Sequence, residues 1–181
     1  ATGLLIICVG KKTKEISAYM GQSKEYVAQI TFGGTTPSYD LESEIDATFP
    51  TAHIDRAAIE AVLGQFTGDI EQYPPIFSAI KQGGVRIYEK ARAGEEVVVQ
   101  PREITIHELE ILSFENNVLS LRVLCGKGTY IRSLAHDLGK ALESGANLSG
   151  LRRTKIGSFE AEGAKDPIQW SEYFKEVLEK D

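Results

Sequence analysis

Residues 123–139 read VLCGKGTYIRSLAHDLG, and two periodicities meet inside them. Up to Cys125 the apolar side chains fall on every second position: Leu119, Leu121, Val123 and Cys125 alternate with polar neighbours such as Ser120 and Arg122. That is the signature of a strand buried on one face. From Thr129 the spacing turns helical. Ile131, Leu134, Ala135 and Leu138 share one face, with Thr129 expected as the N-cap and Gly139 as the C-cap. Gly126-Lys127-Gly128 breaks both patterns, and Gly128 can take backbone angles that a side chain forbids. Tyr130 and Arg132 therefore stand where a strand hands over to a helix. A lysine, two glycines, a tyrosine and an arginine so close together suit an anionic ligand, since backbone N–H groups and a guanidinium both reach phosphate or carboxylate oxygens. A plain turn carrying a solvated arginine is the equal alternative on spacing alone.

Working outward, Asn116-Asn117 marks a hairpin turn into this strand from strands predicted over 104–106 and 109–111. Residues 23–32 alternate well, with Tyr26, Ala28 and Ile30 on one side, and Gly33-Gly34 stops them before a polar loop, TTPSYDLESEID. Helical spacing covers 54–66, with Asp55 early in its first turn. Tyr73-Pro74-Pro75 breaks that pattern, and residues 77–97 run through a Gly-Gly turn into a helix-like segment. Residues 140–149 read as helix then loop, 151–159 as mixed, and 168–178 as a terminal amphipathic helix. The apolar run 4–9, LLIICV, fits either a buried strand or part of a helix. Strands outnumber helices and lie in hairpins. The fold class is therefore α+β, a mixed, largely antiparallel sheet flanked by helices.

At 181 residues, 42% hydrophobic and 25% charged, the chain has the composition of one soluble globular domain. It contains no stretch of about 18 to 20 apolar residues that would span a bilayer. The run at 4–9 has no basic region before it, unlike a secretory signal. Cys8 and Cys125 are isolated, without a CxxC or clustered histidines, which argues against a zinc site or a disulfide framework and for a reducing, cytoplasmic setting. A net charge of −6 weighs against a nucleic-acid partner. The basic residues nevertheless fall in groups: Lys11, Lys12 and Lys14; Lys81, Arg86, Lys90 and Arg92; Lys127 and Arg132; Arg152, Arg153 and Lys155. An acidic protein can carry one basic face.

Five phrases occur in a fixed order: ATGLLIICVGKKTK (1–14), SKEYVAQITFGGTTPSYD (23–40), GDIEQYPPIFSAIKQGGVRIYEKARAG (68–94), CGKGTYIRSLAHDLG (125–139) and LRRTKIGSF (151–159). Together they resemble the TruB group of bacterial tRNA pseudouridine-55 synthases over residues 1–160. The resemblance implies an enzyme that isomerises one uridine of the tRNA T-loop to pseudouridine, with no metal, nucleotide or redox cofactor. The N-glycosidic bond breaks, the base turns within the site, and C5 is joined to the sugar. Because the target lies in a folded loop it must be extruded, at a cost on the order of a few kcal/mol. Recognition by shape and loop suits RNA. The implied organisation is a pseudouridine synthase catalytic domain over 1–165, its N-terminal part expected upstream of Ala1. A helical tail over 166–181 stands in place of a complete C-terminal RNA-binding domain. The implied setting is a cytoplasmic monomer that acts on the T-stem-loop without an obligate protein partner or a membrane.

Carried over by position, Tyr26 matches the tyrosine that stacks on the target base and assists proton transfer at C5; by spacing alone it is a core aromatic. Arg132 matches the arginine that pairs with the catalytic carboxylate and keeps it ionised. Tyr130 and Leu151 match pocket-lining residues. Asp40 matches a supporting carboxylate, or serves an Asx turn. Lys11, Lys12 and Lys14, with Lys127, Arg152 and Arg153, fit phosphate contacts, or a solvated face. One departure matters. In this group the nucleophilic aspartate lies in a phrase like GxLDPxATG, and the chain opens at the ATG, which puts the nucleophile just before Ala1. Asp40 and Asp137 lack that context, so the polypeptide as written is expected to keep much of the pocket and lack the nucleophile. A non-catalytic RNA-binding or tRNA-folding module on the same scaffold is the other reading.

Overall fold

In the computed structural model, which describes residues 1–78, 81–82, 85–86 and 99–178, the alternating run at the centre of the sequence is the strand β9, Val118–Cys125. Leu119, Leu121 and Val123 are wholly buried beneath it. Before it in the chain come β1 (Thr2–Gly3), α1 (Ile16–Gly21), β2 (Lys24–Phe32), β3 (Gly34–Thr35), β4 (Ala47–Thr48), α2 (Arg56–Leu63), β5 (Gly68–Gln72), β6 (Lys81–Gln82), β7 (Val85–Arg86) and β8 (Arg102–Glu115). After it come α3 (Ile131–Ala141), β10 (Ala146–Ile156), β11 (Phe159–Glu160) and α4 (Pro167–Leu178). The main sheet has the order β1-β10-β2-β9-β8-β5, with β11 on β10, and is antiparallel except where β1 joins β10. This is the α+β, largely antiparallel architecture that the hairpin spacing predicts.

The β8–β9 hairpin closes at Asn116 and Asn117, with φ of 51° and 62°. Asparagine tolerates that left-handed region, and two such residues in succession match the twist of the strands they join. On β2, Tyr26, Ala28, Ile30 and Phe32 face the core, where α2 and α3 cover the sheet. The opposite face is polar. There Gln29 donates to Ser120 at 2.9 Å, and Arg122 meets Glu25 at 3.1 Å, Glu110 at 2.5 Å, and Glu108. These carboxylates hold the Arg122 guanidinium charged, so part of the acidic excess is gathered on the face away from the core.

Several local expectations are corrected. Helix α3 starts at Ile131 with Tyr130 in the N-cap position and no side-chain cap; the Thr129 hydroxyl instead donates back to the Gly126 carbonyl at 3.1 Å. Gly139 does not end the helix, which runs on to Ala141. A Cβ on Gly139 would lie 2.5 Å from the Ala146 nitrogen and 2.8 Å from the Ala146 Cβ, so glycine here permits close approach of helix and strand. The stretch expected as loop and mixed structure is mostly the long strand β10. The run 4–9 forms neither strand nor helix: Leu4 is buried while Leu5, Ile7 and Val9 are exposed. Asp55 caps α2 by accepting from the Ala58 N–H at 2.8 Å. Of the helix-like segment expected after Gly83-Gly84, Val85–Arg86 instead form strand β7, paired with Lys81–Gln82, and residues 87–97 lie outside the described residues.

The β3–β4 hairpin carries a long loop that lies against α3 and β10. Tyr39 occupies the left-handed region at φ 64°. Its N–H donates to the Thr36 carbonyl at 3.0 Å, and its carbonyl accepts from the Leu148 N–H at 2.9 Å. Its ring stacks on His136 of α3 with centroids 4.0 Å apart. Burial holds the His136 imidazole below its ordinary pKa, Lys140 adds to that, and Asp46 opposes it.

Two stability predictions follow from this packing. Gly139→Ala should lower the unfolding free energy by about 1 kcal/mol or more in urea melts, because overpacking outweighs the helix propensity gained. A stabilised variant would contradict the close approach. A histidine whose pKa is lowered on folding is protonated more readily in the unfolded chain, so its contribution is present above the unfolded value of about 6.5 and is lost as the pH falls. His136→Phe should therefore flatten the loss of stability between about pH 7 and about pH 5.5. Asp137, raised by burial, acts in the opposite direction and is common to both proteins. An unchanged slope would remove His136 as the cause.

Candidate active site

Which β10 side chains share a face with Tyr26 is decided by two irregularities in the β10–β2 ladder. Ile30 pairs with Leu148, but Gln29 pairs with Gly150; Tyr26 pairs with Arg153, but Glu25 pairs with Lys155. Each extra residue shifts the alternation by one. Leu148 and Ile156 face the core on even positions, while between the bulges Leu151 and Arg153 do so on odd ones, opposite Ala28 and Tyr26. Arg152, paired with Val27, points to the other face and is exposed.

Leu151 forms part of the wall of a cavity of about 500 Å³ that also involves Ala1, Asp40, Leu41, Phe77 and Arg132. Arg132 sits in the first turn of α3. Its Nη1 donates to Asp40 Oδ2 at 3.0 Å and to the Ser38 carbonyl at 3.3 Å, and its Nη2 donates to the Phe77 carbonyl at 3.0 Å. Asp40 Oδ1 accepts from the Ser38 hydroxyl at 2.6 Å and from the Glu42 N–H at 3.0 Å. One Asp40 oxygen thus closes an Asx turn and the other holds the arginine. With the two side chains 22% and 17% exposed, the pair is shielded from bulk water yet open to the cavity. A guanidinium held this way can bind a further anionic group placed in the cavity.

Tyr26 is half-buried and packs against the core beside Arg153. Burial pushes its phenol pKa up, with Arg153 opposing, so the hydroxyl keeps its proton at neutral pH. Tyr26 and Tyr130 are not among the cavity's wall residues; Tyr26 lies diagonally from Leu151 on the same face of the sheet. Arg153 is engaged elsewhere, its Nε donating to the Leu4 carbonyl at 2.7 Å. Lys11, Lys12 and Lys14 are exposed on a 3-10 turn, Gly10–Glu15, where Lys12 pairs with Glu15 at 2.8 Å. Lys127 is exposed on the turn before α3. None of these lysines lies at the cavity wall.

The sequence reading missed Gln72. It ends β5, is only 2% exposed, accepts the Tyr130 N–H at 2.8 Å through Oε1 and donates to the Tyr130 carbonyl at 3.1 Å through Nε2. The signal was there in weak form: Gly68, Ile70 and Gln72 fall on the inward positions of β5, and Gln72 is the polar member of that row. Among the described residues no cluster of histidine, cysteine and carboxylate side chains could hold a metal ion, and no helix is long and apolar enough to cross a membrane.

Comparison with known proteins identifies the family. The model of the TruB family pseudouridylate synthase N-terminal domain matches residues 1–131, and that of the tRNA pseudouridylate synthase B C-terminal domain matches residues 132–171. Their junction falls at the start of α3, and a single sheet crosses it, since β10 pairs with β2. The tRNA pseudouridine synthase B of Flavobacterium johnsoniae is 57% identical over 166 residues, covering 92% of this chain and 72% of the relative. That of Bacteroides fragilis is 51% identical over 173 residues, covering 96% and 74%. Among solved structures, a Cbf5–Nop10–Gar1 complex matches with TM-score 0.60 and 30% identity over 84% of this chain and 36% of that one. An H/ACA RNP bound to a substrate RNA containing 2′-deoxyuridine matches with TM-score 0.62 and 26% identity, over 93% and 40%. The two family models together cover nearly the whole chain, and the curated relatives share about half its residues over more than nine-tenths of its length: the chain belongs to the TruB family of pseudouridylate synthases.

Proposed function

We propose that this chain forms the substrate pocket of a tRNA pseudouridine synthase that isomerises uridine 55 of the T-loop. The observation that carries the reading is the Asp40–Arg132 pair set in the wall of a cavity that Ala1 and Leu151 also wall. The extruded uridine enters that cavity and extends along the sheet face beyond Leu151 toward Tyr26, with Tyr130 at its edge. Arg132 orients and keeps ionised the nucleophilic aspartate of the family phrase, which enters from the Ala1 side; Asp40 supports Arg132, and Leu151 with Tyr130 bounds the base. The bond from C1′ to N1 breaks, the base turns, and C1′ bonds to C5. The C5 proton leaves and N1 ends protonated, so substrate and product are isomers and no cofactor is consumed. Tyr26, held neutral by burial, stacks on the base and assists transfer of the C5 proton. Lys11, Lys12, Lys14, Lys127, Arg152 and Arg153 contact phosphates of the T-stem-loop. Residues 1–165 form the catalytic body and 166–181 a helical tail, acting in the cytoplasm as a monomer.

One observation favours the second reading, a non-catalytic tRNA-binding module: Arg132 already gives three hydrogen bonds to Asp40 and two carbonyls and so has a carboxylate partner within this chain. An assay of T-stem-loop RNA with a chain carrying an LDPx phrase ahead of Ala1 separates the two. Pseudouridine should form, and Arg132→Met should lower kcat by about 100-fold or more. Tyr26→Phe should lower turnover while RNA binding and thermal stability stay close to wild type. RNA binding without pseudouridine, or turnover unchanged in both variants, would reject the catalytic assignments.

A further inference from the structure

We infer that Gln72 is a positioning residue: its side-chain amide clamps the backbone of Tyr130 and thereby sets where Arg132 points. A helix start leaves N–H groups without partners, and α3 has no side chain of its own at the N-cap to satisfy them. Gln72 supplies the missing capping from another element. Both of its polar ends bind one residue, the N–H and the carbonyl of Tyr130, so the two bonds fix the orientation of that residue as well as its position. The amide is the group suited to this task, because it donates and accepts at once while a carboxylate only accepts. Burying an amide here without both bonds would cost stability, and an inward position on an edge strand is otherwise a place for an apolar side chain.

The clamp is the first of three ties. One residue later in the chain, the Tyr73 carbonyl accepts from the Ser133 hydroxyl at 2.7 Å, and the Phe77 carbonyl accepts from Arg132 Nη2 at 3.0 Å. Residues 72–77 thus strap the first turn of α3, and the strap is anchored in the sheet because Gln72 pairs with Arg102 of β8. Asp40 approaches Arg132 from the opposite loop. Arg132 is aimed by two independent segments, and Gln72 is the fixed end of one of them.

The catalytic consequence rests on the function proposed above; the geometric one does not, and the test separates them. Nitrogen-15 spectra of this chain should show slowly rotating Arg132 Nη groups that become averaged in Gln72→Leu. In the chain carrying the LDPx phrase, Gln72→Leu should lower kcat by roughly 10- to 100-fold with KM changed less than about twofold, the size expected for a misaimed group. In an Arg132→Met background the same substitution should cost less than about twofold, since its effect runs through that arginine. Gln72→Glu should behave like Gln72→Leu at neutral pH and recover as the pH falls, because a protonated carboxyl again donates and accepts; this variant decides the matter should Gln72→Leu fail to fold. Arg132 signals that persist unaltered in both variants, or equal losses in the two backgrounds, would overturn the inference. If the wild-type chain with the LDPx phrase makes no pseudouridine, the function fails while the spectra still decide the role of Gln72.

Discussion

The constraint on which the structure depends is the pairing of β2 with strands on both sides. β9 meets it in unbroken register from Lys24 to Thr31, so the inward row of β2 and that of β9 match position for position. β10 meets it with two added residues. The regular side builds the core from Leu119, Leu121 and Val123 against Ala28 and Ile30; the irregular side turns Leu151 and Arg153 onto the face that carries Tyr26. One strand thereby supports a packed interior along one edge and a chemically useful surface along the other. Bulges beside functional sites act this way because they re-aim side chains without breaking the sheet.

The Asp40–Arg132 pair is worth more as geometry than as stability. At about a fifth exposure, each charge loses part of its hydration, and the attraction between them largely repays that loss. Removing one partner would leave the other charged in a partly dry wall, the costly case for such pairs. The carbonyls of Ser38 and Phe77 and the strained backbone of Tyr39 add further fixed points around the same guanidinium. An arginine so fully held has little freedom to lose when a ligand arrives, which is how preorganised sites strengthen electrostatic binding.

Much of this was legible in the sequence, and the failures have physical causes. The strand over 118–125, the Asn-Asn turn and the apolar face of α3 follow from periodicity, because each is decided by burial of one side. Arg132 and Asp40 were picked out by resemblance, but spacing could not pair residues 92 apart in the chain. Thr129 failed as a cap because its hydroxyl closes the preceding turn, leaving the cap to Gln72 from a distant strand. Gly139 read as a stop because a glycine near a helix end usually is one; the close approach of Ala146 is a tertiary fact. Leu151 and Arg153 escaped a period-two reading because the bulges change the parity within β10. The acidic net charge misled for a related reason: summed charge ignores that Glu25, Glu108 and Glu110 surround Arg122 on the far face of the sheet.

The paired bulges of β10 also bear on how this strand tolerates changes of length. Loss of Ser149 itself would leave Leu151 opposite Ala28 and Arg152 opposite Val27, because the ladder without that extra residue gives the same pairs. Moving the first bulge from Ser149 to a point after Arg153, with the length of β10 unchanged, would instead swing Leu151 to the solvent side and Arg152 to the inner one while Ile156 stayed inside. Two homologues of equal length and similar composition can therefore present different chemistry at this wall, with Arg152 and Arg153 having traded places, and an alignment without gaps would conceal it.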